Sequence, residues 1–162
     1  MNYEQAGISL LLIVVANGAP VFTASLFKTR WNYAIDGGRH FFDARPWFGS
    51  SKTWRGIFSS ILATGFVAML LGLEWQLGIA VASLAMLGDL SASFSKRRLG
   101  IVESERVWLL DQLPESFLPV IVLQQSLGLT LSGVFIVVAL FTILDTGMSP
   151  LLYRLRIRKR PY

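Results

Sequence analysis

The sequence predicts an all-α integral membrane protein with five transmembrane helices, an external N-terminus and a cytoplasmic C-terminus. Three observations indicate this fold class. The composition is 53% hydrophobic and only 15% charged, with a mean hydropathy of +0.54. The apolar residues form long blocks, and a helix needs about 20 mostly apolar residues to span a bilayer. All 15 lysines and arginines lie in three segments, 28–55, 96–106 and 154–160.

The number of spans follows from the apolar blocks, which occupy residues 6–27, 56–73, 76–95 and 107–153. The last block is too long for one span, and the segment SLGL at 126–129 predicts a turn within it. One membrane-embedded domain over 1–162 would therefore contain five spans: 6–27, 56–73, 76–95, 107–126 and 129–150.

The orientation follows from the basic segments. Five spans place all three segments on one side, which the positive-inside rule makes the cytoplasmic side. Four spans would carry the basic tail to the opposite side. We therefore expect a multi-pass protein of the cell (inner) membrane whose active groups face the cytoplasm.

The segments outside the spans fit this topology. MNYEQ at the N-terminus lacks the basic residues that open a signal peptide, so we expect the first span to be retained. The single sizeable cytoplasmic loop, 28–55, is rich in aromatic residues, which suit a chain at the headgroup level. The tail RLRIRKRPY is interpreted as a topology anchor on anionic lipid.

Several classes of function are excluded by composition. The chain has no cysteine, so no thiolate nucleophile or cysteine zinc site, and its single histidine, His40, excludes a multi-histidine metal site. The net charge of +5 does not indicate nucleic acid, because no nucleic-acid module is recognisable and the basic clusters adjoin apolar spans. The bilayer and phosphorylated small molecules are the expected partners. Self-association into a homo-oligomer stays open.

The stretch GDLSASFSKRR at 88–98 supplies the first candidate site residues. A carboxylate inside a membrane helix is costly and usually serves a function, which favours a role for Asp89 over simple pairing with another buried group. Ser93 and Lys96 follow at i+4 and i+7 on the same helical face. Asp89 and Lys96 would lie roughly 10 Å apart along the helix axis. That spacing suits a carboxylate holding a divalent cation, with cationic groups binding phosphates nearer the cytoplasm.

DQLPES at 111–116 supplies a second carboxylate, Asp111, with Glu115 at i+4. Asp111 is interpreted as a metal ligand or, alternatively, as a cap on a helix that begins with proline. Carboxylates from two adjacent helices can hold Mg²⁺ beside substrate phosphates, so Asp89 and Asp111 are the expected metal ligands.

Two other regions carry polar groups. Asn17 lies in the first apolar block, where its carboxamide could contact a nucleotide or link two helices. The loop 28–55 combines glycines with Lys52, Arg55 and two aspartates, a set that can bind phosphates. The sequence leaves Asp36 and Asp43 open between metal binding and loop folding. Carboxylates, cations and glycines together favour phosphate chemistry, in which positioning and charge neutralisation do most of the catalysis.

Four segments taken in order resemble the CDP-archaeol synthase family of membrane cytidylyltransferases, which are distant relatives of CDP-diacylglycerol synthases. They are ANGAP (16–20), IDGGRHFFDARPWFGSSKTWRG (35–56), GDLSASFSKRRLGI (88–101) and DQLPES (111–116). The resemblance implies that CTP and a lipid phosphate react to give a CDP-lipid and pyrophosphate with Mg²⁺. The chain departs from the family pattern at Ala44, where the pattern has glycine, and at Pro114-Glu115, where it has an aspartate followed by an aromatic residue.

The resemblance also implies roles for individual residues. Asp89 and Asp111 would bind the metal and, with Lys96, form the catalytic set. Lys96 and Arg97 would hold the triphosphate together with Ser93, which lies between them and Asp89. Lys52 and Arg55 would close on the nucleotide from the loop, and Asn17 would help to form its pocket.

Three other interpretations stay open on the sequence. A small ion-coupled transporter would use Asp89, Asp111, Glu115 and Asp145 as an ion path. A CDP-alcohol phosphotransferase shares the Asp-Ala-Arg of 43–45, although the further aspartates typical of that family are missing. A non-catalytic scaffold would not explain why a carboxylate, Asp89, lies inside an apolar span.

Overall fold

The protein is described by a computed structural model that covers residues 3–102, 105 and 107–155. The described residues form five α-helices: α1 (Tyr3–Phe27), α2 (Trp54–Leu70), α3 (Trp75–Arg98), α4 (Trp108–Val122) and α5 (Leu131–Arg154). The 25-residue α1 and the 24-residue α3 and α5 are long and apolar enough to cross a membrane. The predicted class, a helical membrane protein, is therefore confirmed.

Two of the expected spans are shorter in the structure. α2 has 17 residues and α4 has 15, and they end three and four residues before the expected ends at 73 and 126. α2 stops because Gly72 adopts a φ of +74° in the turn that follows. α4 stops before a turn that contains Gly128 at φ +64°, within the predicted SLGL turn. α3 continues to Arg98, so Lys96 and Arg97 are helical.

α1 contacts each of the other four helices, and α2 to α5 follow one another around it, with α2 against α3, α3 against α4 and α4 against α5. Leu12 and Ile13 of α1 are fully buried at the centre, together with Val120 of α4 and Val137 of α5. A buried hydroxyl, Ser60, donates to the carbonyl of Ala16 at 2.7 Å and joins α2 to α1. This packing sets the neighbours of α3 and α4, which carry most of the candidate site.

The loop between α1 and α2 is folded around one carboxylate. Asp36 accepts hydrogen bonds from the backbone amides of Gly38 at 3.0 Å, Phe48 at 3.0 Å and Gly49 at 2.9 Å. Partial burial opposes ionisation, but these amide donors outweigh it and lower the pKa of Asp36 below its ordinary value of 3.8. Asp36 therefore shapes the loop, one of the two roles that the sequence left open.

This carboxylate gives the loop a testable dependence on pH. A group whose pKa is lower in the folded state stabilises the fold above the unfolded pKa, and the contribution is lost as pH falls through the folded pKa. We expect Asp36→Asn to reduce stability by about 1 kcal/mol near neutral pH. The difference from the wild type should disappear as pH falls below 3.8. Thermal unfolding in detergent across pH measures it, and a difference that does not vary with pH would contradict this role.

The same loop is anchored on the C-terminal end of α3. Arg45 donates to the carbonyls of Arg97 at 3.2 Å and Arg98 at 2.7 Å, where the last turn of a helix leaves carbonyls without helical partners. The Arg98 guanidinium pairs with Asp43 and lies 4.9 Å from the ring centre of Phe94. Asp43 and Arg98 therefore hold the loop in place.

Ala44 adopts a φ of +59° within this loop. Left-handed backbone favours glycine, because a Cβ there crowds the following carbonyl. Ala44 therefore carries backbone strain that a glycine would avoid.

Candidate active site

α3 and α4 approach each other backbone to backbone at Gly88. A Cβ added to Gly88 would lie 2.1 Å from the carbonyl oxygen of Pro114 and 2.8 Å from the amide nitrogen of Glu115. No larger residue fits without separating the helices. The contact brings Asp89, the next residue on α3, to the turn of α4 that follows Asp111.

Two lysine–aspartate pairs occupy this crossing. The Lys52 ammonium contacts both carboxylate oxygens of Asp89 at 2.5 Å. The Lys96 ammonium lies 2.5 Å from Oδ1 of Asp111 and donates to the carbonyl of Glu105 at 3.2 Å. Each aspartate that the sequence assigned to metal is therefore paired with a lysine that it assigned to phosphate. All four side chains are partly or largely buried, so these pairs are less screened than surface pairs.

The alternative role of Asp111, as the cap of a helix that begins with proline, is wrong, because α4 begins at Trp108 and Pro114 lies inside it. Asp111 instead lies in the first turn of α4. Its Oδ2 accepts a hydrogen bond at 2.9 Å from the backbone amide of Val107, the residue that caps α4. One oxygen therefore orders the start of the helix, while the other faces Lys96. The cap fixes the orientation of the carboxylate towards α3.

Further carboxylates lie near these pairs. Glu115 lies one turn after Asp111 on α4, with its backbone amide beside Gly88. Gln112 of α4 is buried and donates to Asp145 of α5 at 3.1 Å. This hydrogen bond links α4 to α5 one residue after Asp111.

Arg97 and Ser93 are buried at the same end of α3. The Arg97 guanidinium donates to the carbonyl of Ile101 at 2.6 Å, while its Nε has no hydrogen-bond partner among the described residues. A buried donor without a partner costs free energy, so a ligand oxygen at this nitrogen would be favourable.

Two of the expected nucleotide-binding residues are held elsewhere. Asn17 donates to the carbonyl of Ile13 at 3.1 Å and lines a mostly apolar cavity of about 270 Å³ between α1 and α5, which also contains Asp145. Arg55 donates to the carbonyls of Lys28 at 3.1 Å and Arg30 at 2.5 Å, at the start of the loop. The structure therefore brings Lys52, Asp89, Lys96 and Asp111 together, but not these two residues.

The donor set fits magnesium in its chemistry. Mg²⁺ takes oxygen ligands and is commonly bound by one or two carboxylates together with substrate phosphates. Among the described residues no group of three or more histidine, aspartate and glutamate side chains is arranged to hold a metal ion. Asp89 and Asp111 instead hold lysines. Their oxygens would become available when phosphates compete for the ammonium groups.

The sequence did not show three features of this site. Gly88 gave no signal of a helix crossing beyond being a glycine inside an apolar span. Gln112 was detectable as an amide in an apolar block, which commonly marks an interhelical hydrogen bond. The pairing of Lys52 with Asp89 depends on the fold of the loop, and no spacing in the sequence encodes it.

Comparison with known proteins identifies the family. The family model described as CarS-like, CDP-archaeol synthase, matches residues 8–162. The chain belongs to the CDP-archaeol synthase family. Membership confirms the expected enzyme class, a nucleotidyltransferase, and gives no support to the transporter, phosphotransferase and scaffold interpretations.

Individual CDP-archaeol synthases match over different lengths. The chain is 38% identical to the protein of Hyperthermus butylicus over 65% of its own length and 64% of that relative. It is 30% identical to the protein of Pyrobaculum aerophilum over 91% of its own length and 92% of that relative. A solved structure, described as an intramembrane enzyme for archaeal membrane lipids biosynthesis, is 28% identical with a TM-score of 0.72, covering 86% of this chain and 89% of that one.

Proposed function

We propose that this chain transfers the cytidylyl group of CTP to a membrane lipid phosphate and releases pyrophosphate. The relatives named CDP-archaeol synthase support the reaction. The structural observation that carries the proposal is the pair of lysine–aspartate contacts at the α3–α4 crossing, each at 2.5 Å. Ammonium groups there can exchange a carboxylate for a phosphate.

The reaction needs charge neutralisation more than acid–base chemistry. A lipid phosphate oxygen attacks the α-phosphorus of CTP, and the bond from that phosphorus to the oxygen of the leaving pyrophosphate breaks. The nucleophile is already an anion, so no side chain has to remove a proton from it. Lys52, Lys96 and Arg97 would hold the phosphates and reduce the repulsion between the two anions.

Magnesium is part of the proposal. Asp89 and Asp111 would hold the ion, which would supply further neutralisation of charge on the triphosphate when it is bound. Asp89 and Asp111 lie on adjacent helices, one on either side of the crossing. The two lysines would then turn towards the phosphates that bring the ion into the site.

The orientation is proposed from the basic segments, which place the site at the cytoplasmic face of the cell membrane. CTP would enter from the cytosol, while the lipid chains stay in the bilayer. The name of the relatives makes an archaeol-type lipid phosphate the first substrate to test. Phosphatidic acid is the matched comparison, because the chain departs from the family pattern at Pro114-Glu115.

A turnover assay tests the function. The detergent-purified protein, labelled CTP, Mg²⁺ and either lipid phosphate should give a labelled CDP-lipid and pyrophosphate. Lys96→Ala should reduce turnover by about 10²-fold or more, since it removes a group that faces the reacting phosphates. Arg158→Ala, in the terminal segment outside the described residues, is the control and should leave turnover largely intact. Equal turnover in both variants would refute the site assignment.

A further inference from the structure

A cavity of about 270 Å³ lies between the C-terminal halves of α1 and α5. Its walls are apolar except for Asn17 on α1 and Asp145 on α5. Three of the apolar side chains in the wall, Phe22, Leu144 and Met148, are exposed, Phe22 to 60%. The cavity is therefore open at the side of the helix bundle.

Hydrocarbon is the medium at this opening. α1 and α5 are both long and apolar enough to cross a membrane, so the surface between them faces lipid chains. Ordered water needs about two to four polar partners, and the amide of Asn17 already donates to the carbonyl of Ile13 at 3.1 Å. At roughly 30 Å³ for a group the size of a water molecule, the cavity can hold a stretch of chain of about nine methylene-sized groups.

The wall of the cavity is linked to the helix that carries Asp111. Asp145 accepts a hydrogen bond at 3.1 Å from Gln112, the residue that follows Asp111, and Asp111 contacts Lys96 at 2.5 Å. The axes of packed helices such as α4 and α5 are about 8–10 Å apart, whereas a lipid chain crosses half of the hydrocarbon core, about 15 Å. A chain whose phosphate is held by Lys96 is therefore long enough to lie in the cavity.

We propose that the α1–α5 cavity binds one hydrocarbon chain of the lipid phosphate, and that Gly18 sets the room for that chain. This rests on the proposed function, in which the phosphate binds at the α3–α4 crossing. Gly18 lines the cavity, and a Cβ added there would meet no atom within 4 Å. A larger side chain at this position would take the space of the lipid chain without pushing the helices apart.

Gly18→Leu tests this role against a matched control, Gly147→Leu. Gly147 of α5 also has no atom within 4 Å of an added Cβ, but it does not line the cavity. With CTP and Mg²⁺ in mixed micelles, Gly18→Leu should raise the KM for dipalmitoyl phosphatidic acid about tenfold, as expected when the size of an apolar pocket changes. The KM for CTP should not change. The KM for dihexanoyl phosphatidic acid should not change either, because hexanoyl chains are shorter than the spacing between helices. Gly147→Leu should match the wild type throughout.

Photo-crosslinking measures binding of the chain without turnover. Phosphatidic acid and phosphatidylcholine, each with a diazirine in one palmitoyl chain, would be compared in the absence of CTP. Phosphatidic acid should label Leu144, in the wall of the cavity, several-fold more than phosphatidylcholine does, and Gly18→Leu should abolish this preference. Both lipids should label Leu62 equally, since it is exposed on α2 away from the cavity.

Three results would overturn the inference: equal labelling of Leu144 by the two lipids, an unchanged KM for the long-chain lipid in Gly18→Leu, or the same rise in Gly147→Leu. The first of these would show that the cavity takes any lipid of the bilayer. Selective labelling of Leu144 in a protein that forms no CDP-lipid would support the chain site and contradict the proposed function alone.

Discussion

Asp89→Asn is expected to lower turnover by at least about 10²-fold while leaving the protein folded. The asparagine keeps the shape of the side chain but removes the charge that faces Lys52 at 2.5 Å. It also removes one of the two carboxylates proposed to hold magnesium. Turnover at saturating CTP, measured beside thermal unfolding, separates a loss of chemistry from a loss of fold.

Glu74→Gln is the matched control for Asp89→Asn. Glu74 is exposed at the N-terminal end of α3, far along the helix from the crossing. Glu74→Gln removes one carboxylate charge, as Asp89→Asn does, but the charge at Glu74 is exposed and well screened. The turnover of Glu74→Gln should therefore stay within about twofold of that of the wild type. Comparable turnover in Asp89→Asn and Glu74→Gln would show that Asp89 has no part in the reaction.

Gly88→Ala is expected to be the most damaging change of a single methyl group. The added Cβ would lie 2.1 Å from the carbonyl oxygen of Pro114 and 2.4 Å from its carbonyl carbon. Both are backbone atoms, so no side chain can rotate away and the helices must separate. We expect a loss of about 3 kcal/mol of stability or more, and a loss of turnover because Asp89 moves away from α4.

Gly7→Ala provides the control for this change. A Cβ at Gly7 of α1 would meet no atom within 4 Å. Alanine is favoured over glycine inside a helix by roughly 0.5–1 kcal/mol, so this variant should be as stable as the wild type or slightly more stable. If both alanine variants melted at the temperature of the wild type, the close crossing of α3 and α4 would be incorrect.

The sequence predicted a helical membrane protein well because hydropathy reflects the bilayer directly. The turn at 126–129 was predictable because one apolar block was too long for one span. The ends of α2 and α4 were not predictable, since apolar residues continue past both helices and the ends depend on backbone turns. Ala44 shows the same limit, because its positive φ is visible only once the loop is folded.

Candidate site residues could be selected from the sequence, but the contacts between them could not be predicted. Asp89 and Asp111 stood out because a carboxylate in an apolar block is costly. The sequence could not show that Lys52 crosses to Asp89 while Lys96 pairs with Asp111, since both contacts join separate elements. It also gave no basis for separating loop folding from metal binding at Asp36. That distinction requires the three amide donors that the folded loop presents.

The position of the transferred phosphorus tests the central claim most directly. The wild-type protein would be incubated with Mg²⁺, a lipid phosphate and CTP labelled with ³²P at either the α- or the γ-phosphate. Cytidylyl transfer at the α3–α4 crossing predicts that the α-label enters the lipid product and that the γ-label leaves in pyrophosphate. Asp89→Asn should abolish the formation of both labelled products. Label from the γ-phosphate in the lipid, or α-label incorporation unchanged by Asp89→Asn, would contradict it.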